Sequence, residues 1–136
     1  TRPTMTTQYR SDVLRDLLRA LHDDMPDIRA AVVANVDGLL VTSYPDDEAT
    51  QGDPANAESV AAMSAVMLAL AERTLERLAQ GAVQRVMIEG EYGTVVVIPA
   101  TPDAALAALV SKHAKLGLAL RAIHRCAEQI RAMFAR

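Results

Sequence analysis

The sequence predicts an α+β fold in which an antiparallel sheet is covered by helices. Two hairpin signals and three stretches of helical periodicity carry that prediction. The first hairpin lies between Arg29 and Ser43, where two apolar β-type runs meet at Asp37-Gly38, a strong signal for a tight turn with positive φ at both central residues. The second joins the Val- and Ile-rich runs 84–89 and 94–99 through Gly90-Glu91-Tyr92-Gly93. Hairpins place neighbouring strands antiparallel, and the helical segments around them must bury their apolar stripes on the resulting sheet.

Taken in order, Ser11 is positioned to cap a first helix, with Asp12 adding negative charge to the first turn. Leu14, Leu17, Leu18, Leu21 and Met25 repeat at helical spacing, and Pro26 ends the pattern. Residues 28–35 and 39–44 form the first hairpin. The composition then changes across 44–55, where Pro45, Asp46, Asp47, Glu48, Gly52, Asp53 and Pro54 read as an exposed, mobile loop. A second helix is expected over 56–80, capped by Gly81. Residues 104–111 are rich in alanine and fit either helix or strand by periodicity alone. A last helix over 114–134 aligns Leu116, Leu120, Ile123, Ala127, Ile130 and Phe134 at steps of four and three.

The second helix is unusual. From Ser59 to Ala71 it carries no charged side chain, and Val60, Met63, Val66, Met67, Leu68 and Leu70 cover most of its circumference. A helix that is apolar all round is covered on more than one side. One side can be met by the sheet, and a second copy of the chain would meet the other, so a homodimer is inferred; a central helix in a monomer is the competing account. Ala61, Ala62, Ser64, Ala65 and Ala69 permit close approach in either case.

The 136 residues fit one domain, read as 11–134 preceded by a polar tail over 1–10, and residues 1–4 stand outside the fold argument because the chain does not begin with Met. Hydrophobic residues make up 51% of the chain but aromatics only 3%, so the core must be aliphatic. A formal charge of −3 argues against a nucleic-acid partner. No apolar run reaches the length of a membrane helix, and the first ten residues lack the apolar core of a signal peptide. The single cysteine, Cys126, excludes an intrachain disulfide and is expected as a buried thiol, which suits a reducing cytoplasm.

Candidate chemistry is sparse. His22, His113 and His124 are not at metal-ligand spacing, and His22 and His124 occupy helical positions expected to be exposed. The acidic group Asp46, Asp47, Glu48 and Asp53 lacks the order of a calcium loop and reads as solvated. Ser59, Ser64 and Ser111 have no evident base. No phosphate-binding glycine motif occurs. No catalytic, cofactor-binding or metal residue is therefore assigned, and no enzyme activity or cofactor is expected. The Met63 and Met67 pair reads equally as a partner contact or as core. Arg73, Glu76, Arg77 and Gln80 form the polar end of the same helix.

The ordered set of Val36-Asp37-Gly38-Leu39-Leu40-Val41, the small-residue helix 57–79, the Gly90–Gly93 hairpin and Lys115-Leu116-Gly117-Leu118 resembles the Roadblock family of dynein light chain type, and within it the bacterial MglB-like regulators of small Ras-like GTPases. The resemblance covers residues 11–133. It implies a profilin-like three-layer sandwich of order helix, two strands, helix, three strands, helix, with a five-stranded antiparallel sheet, and so assigns 104–111 to a strand. It further implies a homodimer whose central helices lie side by side and whose sheets join through the third strand, at about 83–90. The paired helices would form a platform for a small Ras-like GTPase. In the MglB-like branch the catalytic arginine belongs to the GTPase, so no arginine here is assigned that role. Ala62, Met63, Val66, Met67, Ala69, Leu70, Arg73 and Arg77, with Val86 and Ile88 on the third strand, are the expected partner or dimer contacts. A scaffold recruiting a sensor kinase or motor complex without affecting nucleotide turnover is the alternative. A small-ligand sensor is a third reading, which requires a pocket between sheet and helix.

Overall fold

The computed structural model describes residues 5–135, in the order α1 (Met5–Asp24), β1 (Ile28–Asn35), β2 (Leu40–Tyr44), α2 (Ala57–Arg77), β3 (Val86–Glu89), β4 (Gly93–Thr101), β5 (Ala104–Ser111) and α3 (Leu116–Phe134), with a short 3₁₀ turn over Asp47–Thr50. The five strands form one antiparallel sheet in the order β2-β1-β5-β4-β3. Helices α1 and α3 pack together on one face and α2 alone on the other, giving the three-layer α+β sandwich.

The two apolar layers follow from strand periodicity. On β1, Ala31 and Val33 face the α1/α3 layer, while Val32 and Ala34 face α2. On β5, Leu106, Ala108 and Val110 belong to the first layer and Ala105 and Ala107 to the second. A central strand buried on both faces shows no polar alternation, and its alanines leave room for helices above and below. This is why periodicity alone left residues 104–111 open, and why the family resemblance resolved them as a strand.

The first hairpin differs from the type I′ expectation. Only Gly38 takes positive φ, at 84°. The Gly38 N–H donates to Asn35 O at 3.0 Å and the Asn35 N–H to Leu39 O at 3.0 Å, while Asn35 Oδ1 accepts from the Asp37 and Leu39 N–H groups, both at 3.0 Å. The loop is thus a tight turn followed by a left-handed glycine, the three-residue alternative to a two-residue hairpin, and the Asn35 side chain supplies acceptors that the backbone lacks.

Three helix ends also moved. Helix α1 begins at Met5, so residues 5–10 are helical rather than a tail and Ser11 is not its cap; residues 5–10 contain no Pro or Gly to interrupt the backbone ladder. Residues 1–4 lie outside the described residues. Helix α2 starts with Asn56 as N-cap, its side chain accepting from the Ser59 N–H at 2.9 Å. It ends before Gly81: Ala79 takes the left-handed position at φ 55°, the Gln80 N–H donates to Leu75 O at 2.9 Å and the Ala79 N–H to Glu76 O at 3.2 Å. These bonds form a Schellman motif two residues before the expected glycine. Gly81, also at positive φ, turns the chain on toward β3. Helix α3 begins at Leu116 and buries Ala119, Ile123, Cys126, Ala127 and Ile130, leaving Phe134 at the exposed end of the seam.

Segment 45–55 is partly organised. Thr50 Oγ1 donates to Asp47 O at 3.1 Å and accepts from the Ala57 N–H at 3.1 Å, and Asp46 pairs with Arg15 on α1.

Candidate interaction surface

Helix α2 has one satisfied face and one unsatisfied face. Ala57, Val60, Ala61, Ser64 and Leu68 are buried against the sheet. Ser64 Oγ donates to Val60 O at 2.6 Å, so its hydroxyl is spent within the helix. On the opposite side Met63, Val66 and Leu70 are 57%, 58% and 64% exposed. Three large apolar side chains one turn apart form an exposed apolar patch, which makes this face of α2 a candidate contact surface. The two methionines separate: Met67 is half-buried against the α2 layer of the core, whereas Met63 projects outward.

The helix crosses the sheet so that its two flanks meet different strands. Toward β3, Met67, Leu70, Ala71, Thr74 and Leu75 line a cleft of about 400 Å³ with Arg85, Val86, Met87 and Ile88. Among the described residues strand β3 pairs only with β4, which leaves its outer edge open, and Ile88 and Met87 are exposed beside it. Toward the first hairpin, α2 carries Ala62, Ala65 and Ala69. A Cβ built on Gly38 would lie 3.3 Å from the Cα of Ala62 and 3.5 Å from the Cβ of Ala65. Val36 and Leu39, which flank this close approach, are 54% and 64% exposed.

Of the ten residues singled out in the sequence, Met67, Leu70, Val86 and Ile88 come together in the α2–β3 cleft. Ala62, Met63, Val66, Ala69, Arg73 and Arg77 are exposed on α2 outside it. Met87, Val36 and Leu39 were missed. The hairpin pair was visible in the sequence as two apolar residues bracketing Asp37-Gly38, positions that a turn exposes. Met87 was concealed by alternation, because the residue between Val86 and Ile88 points to the other face of β3.

The remaining candidates have local roles. His22 is half-buried rather than exposed, with Nδ1 2.8 Å from Ile28 O and its ring 5.4 Å from that of Tyr44. His124 is likewise half-buried, with Nε2 3.4 Å from an Arg85 guanidinium nitrogen. Cys126 is buried, and desolvation pushes its thiol up to about 11. Among the described residues, no group of three His, Cys, Asp or Glu side chains is placed to hold a metal, and no helix is long and apolar enough to cross a membrane.

This arrangement has counterparts among known proteins. A protein of Methanocaldococcus jannaschii, itself uncharacterized, is 33% identical over 107 residues, spanning 79% of this chain and 88% of its own. Among solved structures, a Roadblock/LC7 domain from Streptomyces avermitilis superimposes with a TM-score of 0.76 at 21% identity, covering 88% of this chain and 96% of that one. Myxococcus xanthus MglB gives a TM-score of 0.78 at 16% identity, covering 89% and 94%. At these identities the solved structures establish the shared fold. The Roadblock/LC7 domain family matches residues 14–110, and this chain belongs to that family.

Proposed function

We propose that this chain acts as a non-enzymatic homodimer that binds a small Ras-like GTPase and modulates its GTP hydrolysis or nucleotide state. The observation that carries the reading is the unpartnered apolar face of α2, continuous with the open edge of β3. The α2–β3 cleft supplies the dimer contact: a second copy would extend the sheet at β3 and cover Met67, Leu70 and Ile88. The outward residues Met63, Val66, Arg73 and Arg77 then lie on paired helices and form the platform. The fold shared with MglB and the family resemblance support a GTPase as the occupant of that platform.

Light scattering coupled to size-exclusion chromatography tests both parts. The protein alone should elute at twice its chain mass of 14.6 kDa. Mixed with a small Ras-like GTPase, it should shift with one nucleotide form only, and the partner's GTP turnover should change when the protein is added. A monomer overturns the dimer platform. A complex that leaves turnover unaltered replaces regulation by a scaffold role.

A further inference from the structure

On the face of the sheet opposite α2, residues of six elements line a groove of about 1060 Å³, slightly above the roughly 300–1,000 Å³ usual for small-molecule sites. Leu14 of α1, Val41 of β2, Ala100 and Pro102 near the β4–β5 turn and Phe134 of α3 give it an apolar lining. The pocket between sheet and helix that a small-ligand reading requires is present at this end of the sheet.

Two guanidinium groups line the groove, one of them held by backbone carbonyls. The Arg131 Nε–H donates to Ala100 O at 2.9 Å and an Nη2–H to Pro99 O at 3.2 Å, so this side chain is oriented by the backbone it lies on. Arg10 lies over the ring of Phe134, 5.5 Å from its centroid. Neither is paired with a carboxylate among the described residues. Asp103 is the one acidic side chain among the described lining residues, against these two cations.

The neutral polar groups are largely committed. Asn35 Oδ1 accepts two hairpin N–H groups, Thr101 Oγ1 accepts from the Asp103 N–H, and the Pro99 and Ala100 carbonyls accept from Arg131. A sugar or an extended peptide, which needs many neutral partners, is poorly served by such a lining. An apolar body ending in one carboxylate is well served, because the Arg131 N–H groups that the backbone leaves free and those of Arg10 are its natural donors.

We propose that this groove binds an amphiphilic carboxylate, a free long-chain carboxylic acid or a close chemical relative, with the anion between Arg10 and Arg131 and the chain against Leu14, Val41 and Phe134. The site is separate from the α2–β3 cleft, and it stands whether or not the platform engages a GTPase.

The test is a titration of the 136-residue chain with sodium decanoate below its micelle concentration, followed by amide chemical shifts, with decyltrimethylammonium as a cation of equal chain length. Saturable shifts confined to Ser11, Val41, Thr101, Ala104 and Phe134 are expected with decanoate and not with the cation. Arg10→Glu, at an exposed position, should weaken binding about tenfold by turning one attraction into a repulsion, with an unchanged far-ultraviolet spectrum. Equal binding of the cation, shifts centred on α2 and β3, or no saturation would each overturn the proposal. Anionic phospholipid vesicles distinguish a membrane source: co-sedimentation that Arg10→Glu abolishes, without saturable monomer binding, also overturns it.

Discussion

Gly38 rests on the backbone of Ala62: a Cβ at position 38 would stand 3.3 Å from the Ala62 Cα while φ there is 84°. Two demands coincide, a left-handed conformation and a close approach to a helix, and glycine meets both. Gly38→Ala should therefore destabilise the fold by about 1–2 kcal/mol in urea unfolding, more than either demand alone. The same substitution should lift Val36 and Leu39 away from α2, read as amide shift changes at Ala62 and Ala65.

At the other end of α2 the opposite change is favourable. Ala79 occupies a left-handed position that a Cβ disfavours. Ala79→Gly should stabilise the protein by about 0.5–1 kcal/mol, the relief of strain less the added freedom of the unfolded chain. Gly81→Ala, at φ 87° with no atom within 4 Å of the added Cβ, should cost about 1 kcal/mol from backbone strain alone.

Leu70 and Ile88 are exposed in the single chain and line the same cleft. Leu70→Asp combined with Ile88→Asp should leave secondary structure and monomer folding intact but convert a dimer to a monomer on light scattering. Retention of the dimer would mean that another surface holds the copies together.

Arg73 and Arg77 project from the polar end of α2 beyond the apolar patch. Charge reversal at both should slow association with the proposed GTPase partner about tenfold at low salt and progressively less as salt rises, because exposed charges act mainly on encounter. Stopped-flow association rates across a salt series measure this. A bulky side chain in place of Ala62 or Ala69 should instead act on dissociation, through contacts at close range.

Cys126 provides a pH signature. Its thiol has a folded-state pKa of about 11 against 9.0 for the free group, because burial disfavours the thiolate. The contribution is complete below pH 9.0 and is lost as pH rises toward 11, since the unfolded chain ionises first. Unfolding free energy should fall by about 2–3 kcal/mol across that window, and Cys126→Ala should remove this part of the slope. The native thiol should also resist a disulfide reagent at pH 8 until urea opens the core.

The elements whose signals are local were legible in the sequence. Strand β1 follows from a short apolar run that ends at a turn signal and the seam of α1 from period 3.6, and the absence of charge from Ser59 to Ala71 marked α2 as a helix with more apolar surface than one sheet face covers. Helix ends and turns were less legible, because caps depend on hydrogen bonds a few residues away. Asn35 replaced a second positive-φ residue with its own side chain, and Ala79 rather than Gly81 closed α2.

The sequence by itself determined the order of helices and strands, that their core is aliphatic, and that α2 carries apolar residues around most of its circumference. Only the tertiary structure decided that Met67 belongs to the core while Met63 faces outward, that the Val36–Leu39 turn lies against α2, and that Arg10, Val41, Pro102 and Phe134 share one groove. The reason is physical: periodicity records how much apolar surface an element carries, whereas the crossing of α2 over a twisted sheet decides which part of it is covered. A groove built from residues of six elements likewise leaves no period in any one of them.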